Sequence, residues 1–216
     1  MDADATPLAG FPDASAIERL LVWRRDVRYF ETRPIDDAEM DRLFALVQLA
    51  PSVGNAQPWR FVRVCTPALR SELADHVDAA ARLAGQRYDG DERSALYQSL
   101  KLHGLREAPE ILAVFSDEKP DQGHGLGIAT MPEALRYSTV LAIHTLWLAA
   151  QSRGVGLGWV SIVDPAHVAK LLDAPAHWHF MALLCLGYAE TPSETPELAR
   201  RGWQSRQDWR AHVSAR

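Results

Sequence analysis

The sequence predicts a single domain with an α+β layered fold, in which helices pack on a β-sheet. The chain has 216 residues, of which 47% are hydrophobic and 24% charged, as expected for one globular domain with a sizeable core. Segments with helical spacing come first, and four strand-like runs are spread along the rest of the chain. No internal repeat or linker divides it. This order of elements favours helices packed on one sheet.

Helix signals occur at six places in the chain. Asp36 is placed to cap a helix whose apolar residues recur at i, i+3, i+4 and i+7, and Pro51 ends that helix. Thr66 followed by Pro67 has the pattern of a helix start. The other predicted helices are one around Ile17 to Leu21 that ends near the arginines of WRRDVRYF, one over Glu92 to Arg106, a long one over Glu133 to Arg153 closed by Gly154, and a short one beginning at Asp164 and Pro165.

Four apolar runs predict the strands of the sheet. They are WRFVRV from Trp59, ILAVF from Ile111 to Phe115, LGWVSI from Leu157 and FMALLCLGY from Phe180. The last run is continuously apolar, which is typical of a strand covered on both faces of its sheet.

A long segment of different character lies between the second strand and the long helix. From Asp117 to Pro132 it reads DEKPDQGHGLGIATMP, with three glycines and little apolar periodicity. Loops of this length in compact domains are often lids or binding loops, so we expect a lid over 117–132. Its GHGLG run is not a dinucleotide fingerprint, because Ala129 and Thr130 follow in place of the GxGxxG spacing.

Composition argues against several classes of protein. The net charge of −5 does not suit bulk binding to nucleic acid. The longest apolar stretch, around Val140 to Ala150, is shorter than the ~20 residues that a bilayer span requires. HExxH, CxxC and GxSxG are absent, and His177 with His179 would lack a third metal ligand, so no metal site is predicted. The acidic N-terminus carries no leader pattern, which predicts a cytoplasmic protein, and residues 1–14 should be flexible.

The arginine cluster after the first helix is the first candidate binding site. It consists of Arg24, Arg25, Asp26 and Arg28. If the helix continues through them, Arg24 and Arg28 share a face, and two guanidinium groups can grip one phosphate. Spacing alone also fits a solvated helix end in which Asp26 pairs with a neighbouring arginine, and it favours that simpler interpretation.

The second candidate is the loop PSVGNAQPW, from Pro51 to Trp59. Ser52, Asn55 and Gln57 offer donors and acceptors of the kind that bind a polar heterocycle. Gly54 permits a positive φ or a close backbone approach. An ordinary connecting loop would contain the same residues, so this motif gains meaning only together with the arginines.

Six motifs occur together and in order. They are RRDVR, APSVGNAQPW, SLKLHGLREAP, MPEALRYSTVLAIHTLWLAA, GLGWVSI and ELARRGWQSR. Over roughly Ile17 to Arg206 the chain resembles the nitroreductase family and, within it, the oxygen-dependent, flavin-destroying branch. The arginine cluster and the PSxxxxQPW loop are shared with ordinary nitroreductases, whereas SLKLxGLREAP, YSTV and GWVSI are more specific to that branch. His103 departs from the pattern, because Glu is common there.

The resemblance implies a central, mostly antiparallel sheet flanked by helices, and a C-terminal extension over 189–216 that reaches a partner subunit. It implies a homodimer with two FMN sites at the subunit interface, each built from both chains. The residues expected at the flavin are Arg24, Arg25, Asp26, Val27, Arg28, Ser52, Gly54, Gln57, Leu102, Met131, Pro132, Trp159, Ser161 and Arg206. Among these, Asp26 and Ser161 are the expected catalytic residues.

The activity that the resemblance implies is fragmentation of reduced FMN by molecular oxygen. The products would be 5,6-dimethylbenzimidazole, the lower ligand of cobalamin, and erythrose 4-phosphate, so FMN would be a substrate and oxygen a co-substrate. NAD(P)H would act only indirectly, through a flavin reductase that supplies reduced FMN. The alternative is a conventional FMN-dependent nitroreductase or flavin reductase that uses NAD(P)H and retains its flavin. A non-catalytic flavin-storing protein would use the same arginines without Asp26 or Ser161.

Overall fold

The computed structural model describes residues 13–216. Residues 1–12, which make up most of the segment predicted to be flexible, lie outside the described residues. The Asp13 carboxylate accepts the backbone N–H of Ser15 and caps the helix that begins at Ala14.

The described chain contains seven α-helices and four strands. The helices are α1 Ala14–Trp23, α2 Asp37–Val47, α3 Pro67–Gly85, α4 Arg93–Ser99, α5 Ala134–Ser152, α6 Pro165–Leu171 and α7 Glu197–Arg200. The strands are β1 Trp59–Arg63, β2 Glu110–Asp117, β3 Gly156–Val160 and β4 Trp178–Gly187. Short 3₁₀ turns occupy Val53–Asn55, Gln86–Tyr88 and Trp209–His212. The α+β prediction is confirmed.

The four strands form one antiparallel sheet in the order β1-β2-β4-β3. In the two central strands Leu112 lies opposite Leu184, and a register shift between Val114 and Phe115 interrupts the pairing. The outer strands β1 and β3 lie at opposite edges of the sheet. The loop before β1 is therefore separated from the C-terminal end of β3.

Side chains alternate along the strands, so both faces of the sheet carry apolar residues that pack against helices. Leu112 and Leu184 point to one core cluster, which includes Met40 of α2 and Leu146 of α5. Ile111 and Leu183 point to a second cluster, which includes Leu73 of α3 and the buried residue of α6. The sheet is thus the middle of three layers. Each fully buried leucine contributes about 1.5–3 kcal/mol to this packing.

The observed helix ends follow local chemistry at most positions. Asp36 accepts the N–H of Ala38, and Gly154 closes the long helix with φ 72°. The predicted helix over Glu92 to Arg106 was wrong in extent, because α4 ends at Ser99. The backbone turns extended at Leu100, and the segment after it packs on Phe30, where a Cβ at Gly104 would lie 2.5 Å from the ring. No helix in residues 13–216 is both long and apolar enough to cross a membrane.

Candidate active site

The arginine segment leaves the helix at its first residue. α1 ends at Trp23, and Arg24 has extended backbone angles, φ −65° and ψ 115°. The helix therefore does not continue through the cluster, and Arg24 and Arg28 do not share a helical face. Their side chains have separate surroundings, which divides the cluster into two parts.

The segment runs alongside strand β3. Asp26 forms a parallel bridge with Leu157, and the N–H of Val27 donates to the Leu157 carbonyl at 3.0 Å. Glycine at 158 makes this approach possible, because a Cβ there would lie 2.1 Å from the Val27 carbonyl oxygen. The glycines of GLGWV thus bring Asp26 to the end of β3.

Asp26 connects the arginine segment to two other parts of the site. Its Oδ1 accepts the backbone N–H of Trp159 at 2.8 Å, and its Oδ2 accepts Nε of Arg28 at 2.8 Å. Arg28 in turn donates through Nη1 to the carbonyl of Lys101 at 3.0 Å. This chain of contacts fixes the backbone next to Leu102. The structure therefore brings Asp26, Val27, Arg28 and Trp159 together, with Leu102 adjacent through Lys101.

The second part of the cluster is a group of like charges. Burial, then the nearby Arg206 charge, lowers the pKa of Arg24, whereas Asp26 opposes that shift. Burial, then Arg24 and Arg206, lowers the pKa of Arg25, whereas Glu194 opposes it. Within residues 13–216 no carboxylate forms a salt bridge with these three guanidinium groups, which we call the arginine triad. Clustered cations of this kind are stabilised by a bound anion.

Trp147 of α5 supports two members of the triad. The Arg24 guanidinium carbon lies 4.7 Å from the centroid of the Trp147 ring. The indole Nε1 donates to the Arg25 carbonyl at 3.1 Å. Arg25 also donates to the backbone carbonyls of Glu194 and Arg24. Arg24 and Arg25 are thus positioned by neutral groups and form no salt bridge within residues 13–216, although Asp26 and Glu194 partly offset their charge.

Ser161 lies at the exposed end of β3. It follows the strand by one residue and is two residues beyond Trp159, whose N–H is held by Asp26. Trp159 itself is half-buried and packs on the α5 side of the sheet. Beside the arginine segment, a cleft of about 770 Å³ opens between Arg25 and Arg28 and the chain from 188 to 201.

The loop PSVGNAQPW forms a second group at the other end of α5. The N–H of Val53 donates to Ser138 Oγ at 3.0 Å, and the N–H of Gln57 donates to Ser52 Oγ at 3.1 Å. Gly54 and Gln57 have positive φ values of 54° and 47°. A non-glycine residue at positive φ is uncommon and marks a constrained backbone.

The glycine-rich run of the long segment packs on this loop. A Cβ at Gly54 would lie 2.9 Å from the Leu126 carbonyl oxygen, and one at Gly127 would lie 2.9 Å from Val53. Met131 and Pro132 follow as exposed residues just before α5. GHGLG therefore serves as a packing element for the Ser52 loop.

One protomer does not bring the two groups together. Trp147 contacts the arginine segment and Ser138 contacts the Ser52 loop, and they are nine residues apart on α5, or about 14 Å at the helical rise. The two groups also lie at opposite edges of the sheet. Ser52, Gly54, Gln57, Met131 and Pro132 are thus separate from the arginines and Asp26.

Comparison with known proteins identifies the family of this chain. The profile described as "Nitroreductase family" matches residues 21–188. The chain belongs to the nitroreductase family, as its motifs predicted. It is 55% identical to the 5,6-dimethylbenzimidazole synthase of Rhodospirillum rubrum, over 88% of this chain and 90% of that protein. It is 52% identical to the protein of the same name from Rhodobacter capsulatus, over 88% and 91%.

A solved structure supports the fold independently. Iodotyrosine deiodinase, in a crystal structure with FMN and 3-iodo-L-tyrosine, superposes with a TM-score of 0.69 at 24% identity. The match covers 93% of this chain and 97% of that one. The nitroreductase-like fold predicted from the sequence is therefore confirmed.

Sequence reasoning missed two contributors to the site. Trp147 lies within the long helix predicted over Glu133 to Arg153, but no role at the site was predicted for it, although an indole can donate a hydrogen bond as well as pack. Lys101 contributes its backbone carbonyl, which no side-chain pattern reveals. The indole within this largely apolar helix was the available signal.

Proposed function

We propose that the chain is an enzyme that uses oxygen to fragment reduced FMN into 5,6-dimethylbenzimidazole and erythrose 4-phosphate. The observation that carries the proposal is the arginine triad, which has no salt bridge to a carboxylate within residues 13–216 and whose Arg24 and Arg25 directly precede Asp26 beside β3. An anion-binding group beside a held carboxylate suits a phosphorylated substrate that needs proton transfer. The two relatives named 5,6-dimethylbenzimidazole synthase support this choice of reaction.

The triad would bind the phosphate of FMN. Guanidinium groups form paired, charge-assisted hydrogen bonds with phosphate oxygens, and half-burial of Arg24 strengthens them. Arg28 would have a different task, because Asp26 and the Lys101 carbonyl already hold it. It would fix the segment around Leu102 beside the flavin.

Asp26 would move protons during fragmentation. Its two oxygens accept from Trp159 and Arg28, yet a carboxylate has about four lone-pair sites, so further acceptor capacity remains. Being held at a fixed position is what general acid–base catalysis requires. Reduced FMN bound there would supply the electrons that activate oxygen. Its dimethylated ring, the two attached nitrogens and one ribityl carbon would form the benzimidazole, and the remaining ribityl carbons would leave as erythrose 4-phosphate.

Ser161 would orient one edge of the flavin by hydrogen bonding. Its hydroxyl lies just beyond the backbone that Asp26 holds, and it is exposed in the single protomer. A hydroxyl both donates and accepts, so it can follow a change of protonation at the substrate.

A second copy of the chain would complete the site. Large apolar side chains are exposed on α1 and α5, which pack together; Trp23 is 41%, Tyr137 56% and Leu141 44% exposed. After Arg136, α5 carries no charged residue. A contiguous apolar face of this kind marks an interface. In a homodimer, the Ser52 loop with Met131 and Pro132 would come from the partner, and residues 189–216 would extend toward it.

The remaining parts of the proposal rest on the family. Oxygen would be the co-substrate, and a separate flavin reductase using NAD(P)H would supply reduced FMN. The reaction would take place in the cytoplasm.

The deciding experiment is to mix the purified protein with chemically reduced FMN in air and analyse the products by mass spectrometry. We expect 5,6-dimethylbenzimidazole in amounts that scale with the protein. Oxidised FMN and hydrogen peroxide as the sole products would contradict the proposal. In that event NAD(P)H oxidation with a nitroaromatic acceptor would identify a conventional reductase.

A further inference from the structure

We propose that Trp147 is a positioning residue for the phosphate group of FMN and so makes the site prefer FMN over unphosphorylated riboflavin. This inference rests on the proposed function and deepens it. Trp147 belongs to α5, not to the arginine segment, and it reaches that segment by two different contacts.

The first contact is with the charge of Arg24. The guanidinium carbon lies 4.7 Å from the ring centroid, within the range of a cation–π interaction. Arg24 is half-buried and has Arg206 nearby, so its charge is otherwise poorly stabilised. The face of the indole ring attracts the cation through its partial negative charge, but the Trp147 side chain carries no net charge. It therefore holds the guanidinium in place without forming the ion pair by which a carboxylate would compete with the phosphate.

The second contact is with the backbone of the next residue. The indole Nε1 donates to the Arg25 carbonyl at 3.1 Å, which fixes the peptide between Arg25 and Asp26. One side chain thus sets both the direction of the Arg24 side chain and the path of the backbone that carries Arg25. Because Trp147 is half-buried against the sheet, this arrangement is present before any ligand binds.

Prepositioned guanidinium groups favour only ligands that carry the matching anion. FMN and riboflavin share the ring and the ribityl chain and differ in the phosphate. Loss of Trp147 should therefore weaken FMN binding and leave riboflavin binding nearly unchanged. If Trp147 had only a general packing role, its loss would weaken the binding of both ligands alike.

The test measures dissociation constants for oxidised FMN and riboflavin by quenching of flavin fluorescence. Trp147→Leu removes the ring face and the N–H, and should raise the FMN constant about 5- to 30-fold while the riboflavin constant changes less than about 2-fold. Trp147→Phe keeps a ring face and should show a smaller change, about 2- to 10-fold. The phenylalanine variant preserves the test if the leucine variant does not fold.

Trp178→Leu is the matched control. Its indole also lies beside a guanidinium, that of Arg60 at 6.0 Å, but away from the triad. It should leave the ratio of the two constants at the wild-type value. An equal loss of FMN and riboflavin affinity in the Trp147 variants, or an unchanged ratio, would overturn the inference.

A further pair of variants separates this inference from the proposed function. Arg24→Ala and Arg206→Ala should each reduce the preference for FMN. If they do and Trp147→Leu does not, the role of Trp147 is refuted and the phosphate site stands. If none of the three changes the preference, the phosphate site itself is refuted, and the role of Trp147 with it.

Discussion

At the scale of single residues, Asp26 has contacts that an amide can copy only in part. Asp26→Asn keeps an oxygen to accept the Trp159 N–H but loses the negative charge beside Arg28. Because an amide cannot act as a general base, formation of 5,6-dimethylbenzimidazole should fall about 10²- to 10⁴-fold. FMN binding should survive. Single-turnover product analysis and fluorescence titration measure the two effects, and a variant with near-normal turnover would remove Asp26 from the chemistry.

Ser161 provides a second test at this scale. Ser161→Ala removes one hydroxyl at the end of β3 and should lower product formation by about 10²-fold, the usual effect of losing one oriented donor. Ser99→Ala is the matched control, since that exposed serine bonds only to the Leu96 carbonyl at the end of α4. Rates for both variants come from the same mass-spectrometric assay. Equal rates in the two would show that Ser161 has no role.

At the scale of elements, the contact between the arginine segment and β3 depends on Gly158. Gly158→Ala would place a methyl group 2.1 Å from the Val27 carbonyl oxygen, and backbone on both sides resists displacement. The free energy of unfolding should fall by at least about 2 kcal/mol, and product formation should fall because Asp26 shifts from Trp159.

Gly154→Ala serves as the comparison for this change. Gly154 meets open space but has φ +72°, so alanine there should cost only about 1 kcal/mol. Urea unfolding measures both variants. An equal loss of stability in the two would show that the close approach of the segment to β3 is unimportant.

The packing of α3 on α6 contains a pH-dependent contact. The His76 and His167 rings stack with centroids 4.0 Å apart, and His76 Nε2 accepts the N–H of Asp164 at 3.0 Å. Burial, then His167, lowers the pKa of His76, whereas Asp164 opposes the shift. Since the folded state favours neutral His76, this contribution is present above the unfolded pKa and is lost as pH falls through the lowered folded value.

We therefore expect His76→Gln to reduce the loss of stability between about pH 7.5 and about pH 5.5, where histidine titrates. Glutamine keeps an acceptor for the Asp164 N–H but does not titrate. Urea unfolding at both pH values gives the free energies, and His212→Gln in the exposed tail is the control. A pH dependence as steep as that of the wild type would contradict this explanation.

At the scale of the whole molecule, the exposed apolar face of α5 predicts a homodimer. Tyr137→Glu and Leu141→Glu each place a charge on the apolar face and should convert a dimer into a folded, inactive monomer. Leu83→Glu is matched to them, because Leu83 on α3 is 68% exposed but lies outside that face. Light scattering coupled to size-exclusion chromatography gives the mass. A dimer that persists in both α5 variants would place the interface elsewhere.

Complementation between subunits tests whether each site uses both chains. Arg24→Ala and Ser52→Phe should each be inactive as homodimers, the first through the phosphate and the second through bulk in the loop. In a mixed dimer, two-fold symmetry puts both changes in one site and leaves the other intact, so about half of wild-type activity should return. Activity per purified mixed dimer is the measurement. No recovery would mean that both groups serve the same site within one chain.

Local sequence determined much of this protein. Asp36, Thr66, Pro67 and Gly154 mark helix ends, because capping and backbone angles depend on a few neighbouring residues. The four apolar runs became the four strands, since side-chain alternation is readable over short stretches. The motifs also sufficed to identify the family, which the comparisons confirm.

Only the tertiary structure decided how the site residues are grouped. Arg24 is joined by Arg206, whereas Arg28 pairs with Asp26, because α1 ends at Trp23 and the segment then follows β3. The close packing of Gly104 on Phe30, in the segment that follows α4, is another contact of this kind. Such contacts join residues far apart in the chain, and no local period encodes them. The sequence therefore supplied the residues and the elements, while packing of distant segments determined that Arg28 pairs with Asp26 and that Arg24 and Arg25 form no salt bridge within residues 13–216.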